Sequence, residues 1–458
     1  MKLPREHWAS RFGFVMAAAG SAIGLGSLWR FPYIAGQNGG GAFVLLYILF
    51  TLVLAAPVFI AELLIGRKTQ SSPVFAYQLL AKKASNWKMI GYLNILTCFL
   101  ILSFYCVISG WCLNYTFMSL NQFSIGKTDA QISQIFNIVA SSPNLSLFWL
   151  ALFLLLNIGI VYSGIRKGIE HWSRILTPAL LVILIALTGY SCTLKGFPQA
   201  FAFIFTPRWS ACTPDTILKA LGMAFFSLSA GLGIIVTYGS YLKSEENLVK
   251  TTGIVAIMTL FVSITAALMM FPIAFSHNFS PDQGPGLIFK IMPVLFAKLP
   301  GSLIISTVFF LLFVFTALTS SISLLEVIVA NLMELLKWNR AKAVITASVA
   351  TFLFGIPSAL GGSKKLFPTW EQIYGKDFLT TMDDITADWM LPLAGLLTTV
   401  FIGYRVNHQI SREEFCTGTT WHSLFRPWLM TIRYIVPAII VIILLTKAGI
   451  LNLNAIAN

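Results

Sequence analysis

Two hydrophobic stretches of this sequence are interrupted by glycine and serine where a membrane-spanning helix needs continuous backbone hydrogen bonds. The first covers residues 12–35 and is interrupted over 20–27, and the second covers 217–241 and is interrupted over 227–233. Unwound backbone in a bilayer must find partners where water is absent, so such interruptions persist only beside a cavity. Freed N–H and C=O groups there can hold a charged solute or a bare cation. One early and one mid-chain interruption predict two halves that meet at a binding site, as in a secondary transporter.

The composition places most of the chain in lipid. It is 57% hydrophobic and 10% charged, whereas soluble domains carry about 25% charged residues. Apolar runs of about 20 residues are long enough to cross a bilayer. Eleven such runs are predicted, near residues 12–35, 41–66, 89–120, 147–164, 172–192, 216–241, 251–275, 303–337, 341–357, 379–405 and 428–448.

The net charge of +14 is distributed as a membrane topology. Lysine and arginine concentrate before the first run and in alternate connections, near 67–88, 166–174, 243–250, 337–342 and 405–433. The positive-inside rule then predicts a cytoplasmic N-terminus in a plasma or inner membrane. A nucleic-acid partner is disfavoured because no basic segment is interleaved with stacking aromatics.

The cysteines and histidines do not form a metal or redox motif. No CxxC pair or Cys/His cluster has metal-ligand spacing. Only Cys192 and Cys212 flank one outer loop, and whether they pair is left open. An enzyme is disfavoured, because Gly24-x-Gly26 lacks a preceding strand and a third glycine at the correct spacing.

The interruptions also predict the domain organisation. We expect one transporter domain over residues 1–458, with repeat one at about 10–192, repeat two at about 216–405 and an extra helix at 428–448. Five spans per repeat invert the second copy, so the two interruptions face each other with opposite polarity. An amphipathic piece at 287–296 is predicted to form a short helix over an entrance.

Several motifs together resemble the neurotransmitter:sodium symporter family. They are Arg5-Glu-His-Trp8, Gly20-Ser-Ala-Ile-Gly24-Leu-Gly26, Arg30-Phe-Pro32, Asn38-Gly-Gly-Gly-Ala-Phe43, Glu62-Leu-Leu-Ile-Gly66-Arg67, Phe225-Phe-Ser-Leu-Ser229 and Leu318-Thr-Ser-Ser-Ile322. The resemblance covers essentially the whole chain. It implies an all-α integral membrane protein with a 5+5 inverted repeat, discontinuous first and sixth helices, and a leucine-transporter-like fold.

A zwitterionic substrate is expected between the interruptions. Amides of Leu25 and Gly26 at a half-helix N-terminus suit a carboxylate, with the Tyr105 hydroxyl as a further donor. Carbonyls of Ala22 and Phe226 suit an ammonium group. The resemblance implies an almost wholly apolar side-chain pocket, hence a neutral, hydrophobic amino acid. The expected substrate-binding residues are Ala22, Leu25, Gly26, Ile101, Tyr105, Ile108, Phe226, Ser227, Ser229, Leu232, Ser320 and Leu324.

Sodium is a hard cation that prefers oxygen ligands, and the resemblance implies two candidate sites. The second site comprises Gly20, Ile23, Thr316, Thr319 and Ser320. The first site comprises Ala22, Ser27, Ser227 and Thr259. In the first site Ser27 and Thr259 stand where the family has an amide or carboxylate. Sodium coupling is therefore expected, with one or two ions left open.

Chloride binding is left open as well. Tyr47, Ser227 and Ser263 align with the polar cluster of the chloride-dependent members of the family. Met223 replaces the glutamine of that cluster, and no substitute carboxylate stands at Ser263.

Two charge pairs are expected to gate the pathway. Arg30 and Asp383, with Asp384 beside it, form the outer pair. The inner pair is Arg5 and Glu334, beside Trp8 and Tyr241. Charges within a membrane usually face water or a partner. Two further intramembrane acids, Glu62 and Glu326, are expected to hydrogen-bond neighbouring helices.

The leading hypothesis is therefore sodium-coupled import of an amino acid by alternating access. An amino-acid sensor of the same fold and a proton-coupled transporter are the alternatives. A channel is disfavoured, because gate charges on both sides indicate occlusion. The expected partners are the amino acid and membrane lipid, without nucleic acid, and both a monomer and a homodimer are compatible with the sequence.

Overall fold

The computed structural model describes residues 6–81, 86–277, 287–363 and 366–451. These residues form helices joined by turns, without a strand. Nine helices are long and apolar enough to cross a bilayer. They are α3 Gly41–Thr69, α4 Lys88–Leu120, α5 Pro143–Tyr162, α6 Ile165–Ser191, α9 Leu248–Ser276, α10 Ser302–Leu336, α11 Arg340–Leu360, α12 Trp370–Arg405 and α13 His422–Lys447.

The remaining two predicted spans are the interrupted ones. α1 Arg11–Ala22 and α2 Gly26–Gln37 are bent by 51° at their junction. α7 Pro214–Ser227 and α8 Ile234–Gly239 are separated by six residues, and neither is long enough to cross alone. The fold class predicted from the sequence is confirmed. Four uninterrupted spans follow the first interrupted one and five follow the second. This order fits two five-span repeats and one extra helix, whereas the repeat boundaries stay a prediction.

Short helices cover the connections between the spans. They are Pro73–Leu80, Asp129–Ser141, Phe197–Phe205, Met292–Ala297 and His408–Cys416. Met292–Ala297 lies in the segment predicted as an amphipathic helix, and the preceding Phe289 ring packs on Trp111 and Phe310. Cys192 and Cys212 are free thiols.

The first interruption is shorter than predicted. α1 remains helical through Gly20 to Ala22, and only residues 23–25 separate it from α2. Gly20 instead permits close packing, because a Cβ there would lie 2.6 Å from Thr177 Oγ1 and 3.0 Å from Thr319 Cβ. The second interruption covers 228–233, since Ser227 is the last residue of α7. The central packing is between α4 and α10, which run along each other beside both interruptions.

Candidate functional site

The first interruption leaves backbone groups that other helices satisfy. Ile23 leaves helical geometry (ψ 72°), and the next turn is closed by the Ser27 amide, which donates to the Gly24 carbonyl at 3.0 Å. The Leu25 amide donates to the Tyr105 hydroxyl of α4 at 3.1 Å. An amide predicted to hold a carboxylate therefore lies in direct contact with the tyrosine predicted to assist it.

The second interruption depends on left-handed backbone. Ser229, Gly231 and Gly233 have φ values of 53°, 89° and 72°, a region that costs little for glycine but is rare for serine. A side chain at Gly231 would also press on α12, with a Cβ 2.8 Å from the Leu391 carbonyl oxygen. The Ser229 hydroxyl donates to the Ser21 carbonyl at 3.2 Å, which joins the second interruption to the last turn of α1.

Three side chains from α3 and α4 hold the second interruption in place. Glu62 Oε1 accepts from the Gly231 amide at 2.7 Å. Asn94 Nδ2 donates to the Gly231 carbonyl at 2.7 Å, and the Cys98 thiol donates to the Leu232 carbonyl at 3.2 Å. The partner of Glu62 is thus the unwound segment of the second interrupted span and not a residue of a helix. Asn94 and Cys98 were not predicted, because polar residues of this kind on a long apolar helix have no distinguishing sequence pattern.

A cavity lies between the two interruptions, α4 and α10. It offers about 40 Å³ to the centres of water molecules, which is room for about three waters. Its lining residues are Ser21, Ala22, Gly24, Leu25, Gly26, Ser27, Ile101, Tyr105, Phe226, Ser229, Leu232, Ile234, Ser320 and Leu324. Ten of the twelve residues predicted to bind substrate are in this set, whereas Ile108 and Ser227 are buried but outside it.

The residues predicted for the second sodium site come together where α1 meets α10. The Ser320 hydroxyl donates to the carbonyls of Ser21 and Gly20 at 3.1 and 3.3 Å. The Thr319 hydroxyl donates to the Thr316 carbonyl at 3.0 Å. All are buried, as is Ile23. The Ser320 hydroxyl and the carbonyls of α1 therefore converge, and such oxygens are the donors that a hard cation prefers, whereas the Thr319 hydroxyl bonds a carbonyl of its own helix.

The residues predicted for the first sodium site offer fewer converging side-chain oxygens. The Ser27 hydroxyl is buried and has no partner among the described residues, while Ala22 lines the cavity beside it. The hydroxyls of Thr259 and Ser227 donate to carbonyls of their own helices at 2.9 and 3.1 Å. The unpartnered Ser27 oxygen fits a bound cation, because a buried hydroxyl is rarely left without a partner.

The hydroxyls considered for chloride also meet. The Tyr47 hydroxyl lies 3.0 Å from Ser263 Oγ and contacts Ser227, and Met223 is buried on the same helix as Ser227.

On the side of the cavity predicted to be outer, Arg30 Nη1 lies 3.9 Å from Asp383 Oδ1. The Arg30 guanidinium also stands 5.1 Å from the centroid of the Phe226 ring, a cation–π arrangement. Asp384 pairs instead with Lys376 at 2.5 Å. A cover over the cavity is thus formed by Arg30, Asp383 and Phe226. This cover is thin, because the side chains of Arg30 and Asp383 remain about one-third exposed.

On the side predicted to be cytoplasmic, Trp8 packs against α8 and the turn that follows it. Its indole N–H donates to the Tyr238 carbonyl at 3.0 Å, and its ring contacts Tyr238, Tyr241 and Phe14. Arg5 lies outside the described residues. Its predicted partner Glu334 accepts hydrogen bonds from the Ser72 amide and hydroxyl at 3.0 and 2.6 Å.

A buried ion pair not predicted from the sequence lies beside this inner cluster. Glu326 is fully buried, pairs with Arg340 and accepts from the Tyr241 hydroxyl at 2.7 Å. Arg340 also donates to the Val161 carbonyl at 2.7 Å. The contact to Arg340 of α11 is the helix-to-helix bond expected of Glu326, whereas Tyr241 lies in the turn after α8. The arginine partner was missed because α10 ends between the two residues, so helical periodicity does not relate them.

A sequence model of the sodium:neurotransmitter symporter family matches residues 5–124 and 129–456. The uncharacterized sodium-dependent transporter YhdH of Bacillus subtilis is 36% identical, over 97% of this chain and 98% of the relative. An uncharacterized sodium-dependent transporter of Haemophilus influenzae is 32% identical, over 97% and 98%. The crystal structure of MhsT in complex with L-phenylalanine superimposes with a TM-score of 0.89 at 40% identity, covering 97% of this chain and 100% of that one.

Proposed function

The chain belongs to the sodium:neurotransmitter symporter family, and we propose that it imports a neutral, hydrophobic amino acid together with sodium. The observation that carries the proposal is the cavity between the two helix interruptions, which ten of the twelve predicted substrate-binding residues line. The similar proteins from Bacillus subtilis and Haemophilus influenzae are described as uncharacterized sodium-dependent transporters, which supports a transport role.

The amino-acid backbone would occupy the polar part of the cavity. Its carboxylate would accept from the amides of Leu25 and Gly26, at the N-terminal end of α2, and from the Tyr105 hydroxyl. Its ammonium group would donate to the carbonyls of Ala22 and Phe226. No charged side chain lines the cavity within the described part of the chain, so a charged substrate side chain would be buried unpaired at high cost.

The side chain of the substrate would contact the apolar part of the cavity. Ile101, Leu232 and Leu324 form this part, with the Phe226 ring above. A bound phenylalanine in MhsT supports a pocket able to take an aromatic amino acid, and the cavity here would enlarge by movement of Phe226. Neutral branched and aromatic amino acids are therefore the proposed substrates.

Sodium is proposed to enter as a second cargo at the site formed by Gly20, Thr316, Thr319 and Ser320. The same backbone segment, residues 20–26, would hold both the ion and the substrate. Each would order the segment that the other needs, which is a reciprocal coupling free energy. Separation of Arg30 from Asp383 would admit the substrate, and displacement of Trp8 would release it on the opposite, cytoplasmic side.

The test is uptake of radiolabelled amino acids into proteoliposomes under an inward sodium gradient, with potassium replacing sodium as the control. Sodium-driven accumulation of neutral hydrophobic amino acids is expected, and repetition in gluconate instead of chloride would reveal any chloride requirement. Saturable binding without accumulation would favour a sensor. Uptake driven by a proton gradient alone would indicate that protons, and not sodium ions, are coupled to transport. Either result would contradict the proposal.

Paired variants assign the roles. Tyr105→Phe removes a hydrogen bond to a charged group, worth about 1.5–3 kcal/mol, so the KM should rise about 10- to 150-fold. Thr319→Ala should abolish the sodium dependence. Tyr115→Phe, ten residues along α4 with its hydroxyl on the Phe289 carbonyl, is the matched control that should leave KM unchanged.

A further inference from the structure

The short helix at residues 197–205 lies in the connection between α6 and α7. Five spans precede it, counting the interrupted first one, so it lies on the side of the membrane opposite to the start of α1. The Gly196 amide before it donates to the hydroxyl of Ser276, the last residue of α9, at 2.9 Å. The Phe203 ring packs on the Phe271 ring at a centroid distance of 5.6 Å, and Phe271 lies about 8 Å from the same end of α9. The 197–205 helix is therefore held beside the end of a span, where the bilayer meets water.

The apolar side of this helix is wider than the part that the protein covers. Successive helical residues are about 100° apart, which places six apolar residues on one continuous arc of about 200°, in the order Phe203, Ala200, Ile204, Phe197, Phe201 and Phe205. Ala200 and Ile204 are buried, whereas Phe201 and Phe205 are 49% and 47% exposed. The remaining side of the helix carries exposed Pro198, Gln199 and Ala202. Packing against the protein thus accounts for only about half of the arc.

The uncovered half is a row of aromatic rings. We call Phe197, Phe201 and Phe205 the aromatic ridge, since their ring centroids follow one another at 6.0 and 4.6 Å. The orientation of the ridge is fixed by close packing of the helix backbone, because a Cβ at Gly40, in the turn between α2 and α3, would lie 2.2 Å from the Phe203 carbonyl oxygen. The ridge therefore cannot turn toward the protein without undocking the helix.

Basic residues lie at both ends of the helix. Lys195 precedes it and Arg208 follows it, and both are exposed. No acidic residue occurs in the connecting sequence from 192 to 213. Long basic side chains beside an apolar surface can reach the phosphates of lipid headgroups, and aromatic rings are enriched at the same depth of a bilayer. Both the rings and the charges thus suit the surface of a membrane.

We propose that the aromatic ridge inserts into the lipid leaflet on this side of the membrane, so that the 197–205 helix is an interfacial anchor. The helix then has protein on one side, acyl chains on the second and water on the third, which is the arrangement of an amphipathic helix lying in a membrane surface. The three rings expose roughly 300 Å², whereas a stable protein interface needs about 800 Å² from each partner. The ridge is therefore too small to hold a second copy of the chain.

Photocrosslinking identifies what touches the ridge. Phe201 is replaced by p-benzoyl-phenylalanine, which keeps an aromatic ring at this position. The matched control carries the same group in place of Gln199, which is exposed on the side of the helix without the ridge. Each protein is illuminated in vesicles of phosphatidylethanolamine and phosphatidylglycerol, and adducts are measured by mass spectrometry. A Tm equal to that of the wild type shows that the replacement leaves the fold intact.

The expected product at position 201 is an adduct with phospholipid. Its yield should exceed the yield at position 199 about fivefold or more, because a half-exposed ring prefers the acyl region to water by about that factor. Phe205→Asn, on the neighbouring ring of the ridge, should lower the lipid yield at position 201 severalfold. Ala202→Asn, at an exposed position outside the apolar arc, should leave that yield unchanged.

Three results would overturn the proposal. Equal lipid yields at positions 201 and 199 would show that the ridge has no preferred contact with the leaflet. A crosslinked protein dimer as the main product at position 201 would identify a second copy of the chain as the occupant. An unchanged lipid yield in Phe205→Asn would show that the ridge does not set the depth of the helix.

Discussion

Replacement of Trp8 should shift the protein toward its inner-open state, and the size of this shift in the equilibrium follows from the contacts that Trp8 makes. The side chain is 4% exposed, donates one hydrogen bond to the Tyr238 carbonyl and makes three ring contacts. Truncation of a buried tryptophan costs about 3–5 kcal/mol. Because we propose that only the inner-closed state makes these contacts, Trp8→Ala should shift the equilibrium toward the inner-open state about 150- to 4,000-fold.

Trp8→Phe separates the hydrogen bond from the packing. A phenylalanine ring keeps aromatic contacts with Tyr238 and Phe14 but loses the indole donor. One net hydrogen bond is worth about 0.5–1.5 kcal/mol, so the shift should be only about two- to tenfold. The two variants therefore predict a graded opening, and the grading is itself a test.

Cys98 provides a built-in reporter of that opening. It is fully buried and its thiol bonds the Leu232 carbonyl at the second interruption, so a water-soluble thiol reagent should reach it only when α1 separates from α8. The assay measures the labelling rate after the other five cysteines are replaced by serine or alanine, namely Cys106, Cys112, Cys192, Cys212 and Cys416. Labelling should be fastest in Trp8→Ala and intermediate in Trp8→Phe, and replacing Cys98 by alanine should abolish it. Equal rates in wild type and Trp8→Ala would refute the reasoning.

Two further substitutions test other parts of the site. Gly26→Ala would place a Cβ 2.3 Å from the Phe226 ring, and the resulting overpacking should weaken substrate binding roughly tenfold. Gly222→Ala is the control, because a Cβ there meets nothing within 4 Å, and it should bind substrate normally. Equal substrate affinities of the two variants would contradict this account. Glu326→Gln leaves the Arg340 guanidinium without its carboxylate, so the free energy of unfolding should fall by about 3 kcal/mol; an unchanged Tm in detergent would show that the pair is dispensable.

The sequence predicts the architecture well because its strongest signals are local. Apolar run length defines the spans, and glycine with serine in mid-span marks both interruptions. Local patterns do not report where neighbouring helices press together. Gly20 therefore counted as part of an interruption, although its requirement is close contact with Thr177 and Thr319.

The partners of the site were harder to predict, since they are distant in sequence. Asn94 and Gly231 are 137 residues apart, and no spacing rule relates them. The N-terminal segment gives a second case. Glu170, in the first turns of α6, accepts from the amides of Ala9 and Ser10 at 2.7 and 3.0 Å. A single glutamate in a basic connection gives no sign of such a role until the fold brings it to the start of α1.

The two interruptions differ in how their backbone groups are held, and this difference bears on coupling. The Gly231 amide and carbonyl are bonded by Glu62 and Asn94. Neither of these two side chains lines the cavity, so a ligand in the cavity would leave both hydrogen bonds intact. At the first interruption, Leu25 is held by the hydroxyl of Tyr105, a lining residue, and a substrate carboxylate would replace or share that bond. The second interruption is thus a fixed frame, and the junction of α1 with α2 is the part that ligands reorganise. One proposed sodium ligand, Gly20, lies in the last turn of the same helix, α1. The ion and the substrate would therefore act on one movable joint, and Trp8 packs just before the other end of α1.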